Sequence, residues 1–266
     1  MKFIIPVVIA ILLMSGSNGA TSAPSCFEKA IGSLKEAAPE SYAIYHALSD
    51  KSQFKVWLKC DDMQLDLTTA VHESVHTLTE ELDAYPLISG DKLPRLRETA
   101  AFVAPNKIRS ALGTFFGRDD LYIQTYLDGE GSSSADDFTY LLDELNAYSH
   151  DLHVATKLSS LERSSGLDVD HRDGLAAMMA FLIAYLENAR TSHPATWKGL
   201  GSNPVRSNIK VLWRQAEETM NASCAIPGFG TNDVKYLKFV CSPARFTALS
   251  TIIGRVPQCS SICVGD

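Results

Sequence analysis

The chain has 266 residues, of which 45% are hydrophobic and 21% charged, and this composition is that of an ordinary globular protein. It excludes a disordered or collagen-like chain. The net charge of −7 and the lack of a basic cluster argue against a surface that binds nucleic acid, so no nucleic-acid partner is expected.

The first 23 residues have the three parts of a secretory signal peptide. Lys2 provides a positive start, an apolar run covers residues 3–14, and small residues between 15 and 23 offer a cleavage zone. The apolar run is too short to span a bilayer, which takes about 20 residues. We therefore expect residues 24–266 to form one exported domain, secreted or periplasmic, without membrane contact after cleavage.

All six cysteines follow the predicted signal peptide, and an even number in an exported chain predicts three disulfides. Six cysteines allow 15 pairings, so the sequence does not fix the connectivity. Proximity along the chain suggests Cys26 with Cys60, which leaves four cysteines to staple the C-terminal segment, about 222–266. A zinc site built from those four thiolates is the alternative, but the two short Cys-x-x-Cys pairs typical of such sites are missing.

The N-terminal half alternates between helical and extended patterns. A helix is predicted from Phe27 to Ala38, ended by Pro39, and the partial alternation of Gln53–Lys59 predicts a strand. A long helix is predicted over Asp66–Asp83, because its apolar residues form one buried stripe. The aromatic and β-branched residues of Leu121–Leu127 predict a further extended segment.

The C-terminal half is predicted to be helical. After a polar loop over Asp128–Ser134, the pattern Ser134-x-x-Asp137 predicts a capping box at the start of a helix that continues to about Leu161. Two prolines and several other turn formers predict a surface connection over Ser192–Ser207. Two more helices are expected, at about Arg172–Arg190 and about Asn208–Asn221.

Two histidines lie one helical turn apart in the segment His72-Glu73-Ser74-Val75-His76 of the first long helix. Residues four apart share a helical face, so both imidazoles can reach one Zn²⁺ at roughly 2.0–2.1 Å. Glu73 lies on the adjoining flank, where its carboxylate can take a proton from a water. These residues predict a zinc site with a general base. The alternative is a pair of solvated histidines beside a surface glutamate.

This segment resembles the His-Glu-x-x-His signature of the zincin metallopeptidases. The resemblance implies Zn²⁺ as the cofactor and a peptide or protein as the substrate. A metzincin would continue with Gly at 79 and His at 82, whereas this chain has Thr79 and Leu82, so that subclass is excluded. The remaining resemblance is to the gluzincins, whose third zinc ligand is a glutamate on a second, downstream helix.

The resemblance points to Glu144 as the third ligand. At about 100° per residue, Glu144, Tyr148 and Asp151 share one face of the downstream helix. Competing ligands on the same helix are Asp143, His150 and His153. Two further acids, Glu80 and Glu81, are less suitable because they belong to the helix that carries the histidines, and a tetrahedral site needs a ligand from another direction.

The match departs from the thermolysin-like pattern at one position. Those enzymes place an Asp four residues after the ligand Glu, where it orients a ligand histidine, and this chain has Tyr148 there. We therefore expect Asp151 to accept the second N–H of a ligand histidine. The Tyr148 hydroxyl is then predicted to donate to the oxyanion that forms on the attacked carbonyl, with simple packing in a helix interface as its alternative.

The sequence thus predicts an α+β, predominantly helical fold with a zincin-like catalytic core, two ligand-bearing helices, a small sheet and additional C-terminal helices. The expected function is that of a secreted zinc-dependent peptidase in which Glu73 is the general base. The loop Asp128–Ser134 and the stretch Tyr85–Pro94 are expected to wall its cleft. The alternative is a secreted binding or interaction protein whose metal site is structural or absent. Neither a preferred substrate nor an oligomeric state is readable.

Overall fold

The computed structural model describes residues 24–128, 133–161, 170–259 and 261–264. The predicted signal peptide and most of the predicted loop Asp128–Ser134 lie outside these residues. The described residues form fourteen α-helices, three 3₁₀ helices and one two-stranded sheet. The fold is therefore mostly helical with a small sheet, as the composition and patterns predict.

The α-helices are, in chain order, α1 Cys26–Ala37, α2 Pro39–Ala47, α3 Ser52–Val56, α4 Met63–Leu82, α5 Arg109–Phe116, α6 Leu121–Leu127, α7 Ser133–Asp136, α8 Phe138–Lys157, α9 His171–Ser192, α10 Pro194–Leu200, α11 Asn203–Ser223, α12 Asp233–Val240, α13 Phe246–Ile253 and α14 Ser261–Val264. The strands are β1 Ala84–Pro86 and β2 Lys92–Pro94, and the 3₁₀ helices are Arg97–Ala101, Pro105–Ile108 and Pro243–Arg245.

Neither segment that the sequence pattern predicts to be extended is a strand, so these two predictions are wrong. Residues 53–56 of the first segment lie in α3 and residues 57–59 follow its end; α3 starts where the Asp50 carboxylate accepts the backbone N–H of Ser52 at 2.8 Å. Leu121–Leu127 is α6, whose N-cap Asp120 accepts the N–H of Ile123 at 3.1 Å. In both segments an aspartate satisfies a free N–H at the helix start, and this local bond outweighs a weak preference for strand.

Two predicted helix boundaries also need correction. The helix predicted to start at Ser134 starts at Phe138, because the backbone of Asp137 is extended and its side chain accepts the N–H of Thr139 at 2.8 Å. Asp137 is thus the N-cap of α8 itself, and α7 is a separate short helix. The segment Ser192–Ser207 is largely helical, since its two prolines lie in the first turns of α10 and α11, where a missing N–H costs nothing.

The small sheet lies at the stretch Tyr85–Pro94, which the sequence analysis expects to wall the cleft. β1 and β2 pair antiparallel, with Ala84 opposite Pro94 and Tyr85 opposite Leu93. The ring of Tyr85 is buried, and its hydroxyl donates to the carbonyl oxygen of Thr139 at 3.0 Å. This hairpin follows α4 directly and fastens its end to the first turn of α8.

Helix α8 contributes to both hydrophobic cores. One core joins α1, α2 and α4 to Ala147 and Val154 of α8 and to Leu158 just after its end. The other core joins Leu141, Leu145 and Leu152 of α8 to apolar residues of α9, α11, α12 and α13. Burial on both sides holds α8 in a fixed orientation, and this orientation determines which of its polar residues meet α4.

All six cysteines are paired in disulfides. Cys26 is bonded to Cys60, as proximity predicts, and the tail carries the nested pairs Cys224–Cys263 and Cys241–Cys259. No thiolate remains for a four-cysteine zinc site, and three disulfides are typical of an oxidising compartment. None of the described helices is long and apolar enough to cross a membrane.

Candidate metal centre

Helix α4 presents both histidines of the His-Glu-x-x-His segment toward α8. The helix begins at Met63, where the Asp62 carboxylate accepts the N–H of Leu65 at 3.1 Å. Val71 and Val75 of its apolar stripe are fully buried in the first core, whereas Leu82 at the end of the stripe is exposed. The histidines lie beside this stripe, so the burial that stabilises α4 also turns their rings inward.

Glu144 of α8 meets the two histidines at one point. The Nε2 atoms of His72 and His76 are 3.1 Å apart, and Glu144 Oε2 lies 3.8 Å from the first and 3.5 Å from the second. His72 and Glu144 are buried, with 8% and 4% of their surface exposed, and His76 is half-buried. The structure therefore brings together the three residues that the sequence predicts as ligands.

These separations fit one divalent cation. Ligand atoms placed about 2.0–2.1 Å from a tetrahedral ion lie about 3.3–3.4 Å from each other, close to the three distances found here. Two imidazole nitrogens and one carboxylate oxygen are also the donor set of catalytic zinc sites that keep a fourth position open. The group can thus bind a metal ion.

His76 is oriented by a buried carboxylate that the sequence analysis named only as a competing ligand. Asp143 Oδ2 accepts the Nδ1–H of His76 at 2.7 Å, and Asp143 Oδ1 accepts the hydroxyl hydrogen of Thr79 at 2.7 Å. Since an ionised carboxylate only accepts, Nδ1 of His76 carries the proton that Asp143 holds. Nε2 is turned toward His72 and Glu144, where it can bind a metal once it has lost its own proton. No sequence signal separates Asp143 from its neighbour Glu144, since only the rotation of α8 decides which acid points to the centre.

Asp151 does not serve the ligand histidines, so this prediction is wrong. Its Oδ1 lies 3.1 Å from Nδ1 of His171, which is buried in the first turn of α9. Asp151 lies two helical turns beyond Glu144, about 10 Å along the axis of α8. It shares the face of Glu144, but this offset places it against α9 instead of α4.

The other predicted candidates lie elsewhere. His150 is fully buried with Nε2 3.0 Å from the Pro86 carbonyl oxygen, and burial lowers its pKa to about 4. His153 lies 3.7 Å from Glu40 of α2. Glu80 pairs with Arg95 and Glu81 accepts from Ser49, both at the surface. None of these four contributes to the group that could hold a metal.

Tyr148 packs against the centre. Its ring meets the ring of His72 edge-on, with centroids 4.6 Å apart, and its hydroxyl lies 2.6 Å from the hydroxyl of Tyr126. Burial, and to a smaller extent the charge of Glu144, raises the pKa of Tyr126 well above its usual range. Burial also raises the pKa of Tyr148, so both hydroxyls stay protonated. The sequence analysis missed Tyr126 because its segment was expected to be a strand.

Glu73 lies on the flank of α4 and is partly exposed. The charges of His76 and Glu144 act on its carboxyl group. Burial raises the pKa of its carboxyl above the ordinary value, His76 opposes this shift and Glu144 adds to it. A carboxylate whose pKa is raised accepts a proton more readily. The position and the shift both suit a general base.

Metal binding is expected to displace one proton, which comes from His76. Burial alone would lower the pKa of His76, but the hydrogen bonds and charges of Asp143 and Glu144 raise it to about 11. Burial and the charge of His76 hold the pKa of His72 well below 6.5, so His72 is neutral at pH 7. The apparent metal affinity should therefore rise roughly tenfold per pH unit between pH 7 and 9. Competition with a chromophoric chelator across this range measures the slope.

Asp143→Asn tests the source of this pH dependence. Loss of the carboxylate should flatten the slope and weaken binding at pH 9 by about 10- to 100-fold, because His76 loses its orienting partner. Asp91→Asn in the exposed hairpin turn is the matched control and should change neither quantity. An unchanged slope in Asp143→Asn would show that Asp143 does not govern the protonation of His76.

Comparison of the chain with protein-family models, with curated proteins and with solved structures finds no significant match. The interpretation of the centre therefore rests on its residues and their geometry.

Proposed function

We propose that the chain is a secreted or periplasmic zinc-dependent peptidase with a gluzincin-like centre, a hydrolase that cleaves peptide bonds in a peptide or protein substrate. The observation that carries the proposal is the convergence of His72, His76 and Glu144 from two helices on one point, with Glu73 beside it. Three disulfides agree with export.

The three ligand atoms would hold Zn²⁺. When bound, Zn²⁺ supplies Lewis-acid chemistry, because it lowers the pKa of water toward about 7 and polarises a carbonyl group. His72 and Glu144 are buried on the side of the centre that faces the protein interior, whereas His76 and Glu73 are partly exposed. The substrate is therefore expected to approach from the side of His76 and Glu73.

Glu73 is proposed to move the proton in the reaction. Its carboxylate accepts a proton from the attacking water and then delivers it to the amine that leaves when the peptide bond breaks. Its raised pKa suits both transfers, since one group must first accept and then donate.

The Tyr126–Tyr148 pair is proposed to stabilise the oxyanion. Their hydroxyls lie 2.6 Å apart and hold each other in place. A hydroxyl already held by a neighbour needs little reorganisation when charge develops on the carbonyl oxygen, and this favours its use as an oxyanion donor.

Metal content and chelation test the proposal. The purified protein is expected to contain about one zinc per chain, to hydrolyse labelled casein, to lose this activity in 1,10-phenanthroline and to regain it when Zn²⁺ is added back. Bound zinc with no hydrolysis of casein or of a peptide library would favour the binding protein with a structural metal. A protein that binds no divalent metal would contradict the centre itself.

A further inference from the structure

The two ligand histidines are held in different ways. His76 donates its Nδ1–H to Asp143, as ligand imidazoles usually do to a carboxylate or carbonyl. His72 Nδ1 is buried and has no hydrogen-bond partner among the described residues. A ligand ring needs a fixed orientation to bind a metal well, so packing must orient His72.

Tyr148 is the residue placed to do this. Its ring stands at 73° to the ring of His72 with centroids 4.6 Å apart, the edge-to-face arrangement that aromatic pairs prefer. The far end of the Tyr148 ring is held by the hydroxyl of Tyr126 at 2.6 Å. The Tyr148 ring can therefore hold the His72 ring in place, provided that its own opposite face is also in contact with the protein.

That support is Gly174, inside α9. A Cβ added to Gly174 would fall 2.8 Å from Tyr148 Cζ and closer still to Cδ1 and Cε1, which is far inside van der Waals contact. Glycine is unfavourable in a helix interior relative to alanine, and the backbone at this position has no positive φ that requires it. Room for the Tyr148 ring is thus the physical reason for glycine here.

Gly174 cannot easily move away, because the three residues of α9 before it are all anchored. His171 is paired with Asp151 of α8. The next two residues are held by residues between the end of α11 and the start of α12, in contacts that are Arg172 with Asp233, Ser223 O and Ile226 O, and Asp173 with Thr231 and Asn232. A side chain at position 174 would therefore displace the Tyr148 ring and leave the turn in place.

We propose that Gly174 is a positioning residue of the metal centre. Because it has no side chain, the Tyr148 ring can pack against α9 and against His72, and this packing fixes the His72 ring, whose Nδ1 has no hydrogen bond among the described residues. The inference rests on the metal centre of the proposed function and is independent of peptide hydrolysis.

Cobalt binding tests the proposal, since Co²⁺ reports affinity and ligand geometry through its visible absorption. Gly174→Ala is expected to weaken Co²⁺ binding at least tenfold and to shift the absorption spectrum, because His72 is displaced. Gly32→Ala in α1, where a Cβ meets open space, is the neutral control. Gly199→Ala is the steric control, because its Cβ would fall 2.6 Å from Cζ of Phe102, which packs on Phe138 and not on a ligand. Both controls should keep the wild-type affinity and spectrum.

Variants of Tyr148 keep the proposal testable if Gly174→Ala folds poorly. Tyr148→Phe keeps the ring against His72 but loses the hydroxyl bond to Tyr126, so Co²⁺ binding should weaken by less than about threefold. Tyr148→Ala, which loses the ring, should bind Co²⁺ at least tenfold more weakly. In the Tyr148→Ala background, Gly174→Ala should add less than about twofold, because the overlapping ring is gone. Equal affinity and spectrum of Gly174→Ala and the wild type, or additive losses in the double variant, overturn the proposal.

The outcomes separate this inference from the proposed function. If the wild-type protein binds Co²⁺ but hydrolyses no peptide, the proposed peptidase function is wrong and the proposed role of Gly174 is unaffected. A wild-type protein that binds no Co²⁺ removes the metal centre, and with it the role of Gly174.

Discussion

Glu73→Gln is expected to abolish peptide hydrolysis and to leave the metal bound. The amide keeps the size of the side chain but cannot take a proton from water, and general base catalysis contributes about 10²–10⁴-fold to a rate. Because Glu73 is not one of the three converging ligands, zinc content should stay at the wild-type value. Measuring kcat/KM on a fluorogenic peptide together with zinc by mass spectrometry gives both results from one preparation.

Glu81→Gln is the matched control for this change. Glu81 belongs to the same helix, is exposed and accepts a hydrogen bond from Ser49, so its replacement should alter neither activity nor zinc content. Retention of more than about a tenth of the wild-type kcat/KM by Glu73→Gln would contradict its role as general base. Loss of zinc together with activity would instead place Glu73 among the ligands.

The two histidines of the candidate ligand set were predictable because their pairing depends on helical periodicity alone. His72 and His76 lie one turn apart on a helix whose apolar stripe is readable, and this spacing fixes their shared face. Glu144 was found through the resemblance to gluzincins, and the structure places it at the predicted point. The pairing of Cys26 with Cys60 was likewise readable, because only these two cysteines lie in the N-terminal half.

The supporting residues were not predictable, because their roles depend on how helices rotate and pack. Asp143 and Asp151 differ by eight residues on one helix, and only the rotation of α8 between its two cores directs the first to His76 and the second to His171. Tyr126 reaches the centre because Asp120 caps α6 and turns an apparent strand into a helix. From the sequence alone, Gly174 is only a residue that is unfavourable in a helix, and its role depends on the position of the Tyr148 ring, which packs against it.

Glu144→Gln is expected to weaken zinc binding by about 10²-fold. The binding free energy of Zn²⁺ in structural sites, which have four protein ligands, is about 10–16 kcal/mol. An even share for one ligand is about 3 kcal/mol, which corresponds to about 10²-fold in Kd. The amide has nearly the shape of the carboxylate and should preserve the packing of α4 on α8, so the melting temperature of the metal-free protein should change little. The negative charge that favours a divalent ion is lost.

Zinc affinity is measured by competition with a chelator of known Kd at a fixed pH, since His76 makes binding depend on pH. Glu187→Gln is the control, because Glu187 pairs with Arg190 on the surface of α9 and should leave the affinity within twofold. A wild-type Kd in Glu144→Gln would mean that the acid from α8 is not a ligand. The two histidines of α4 would then hold the ion without an acid from a second helix, and the proposal of a gluzincin-like centre would be wrong.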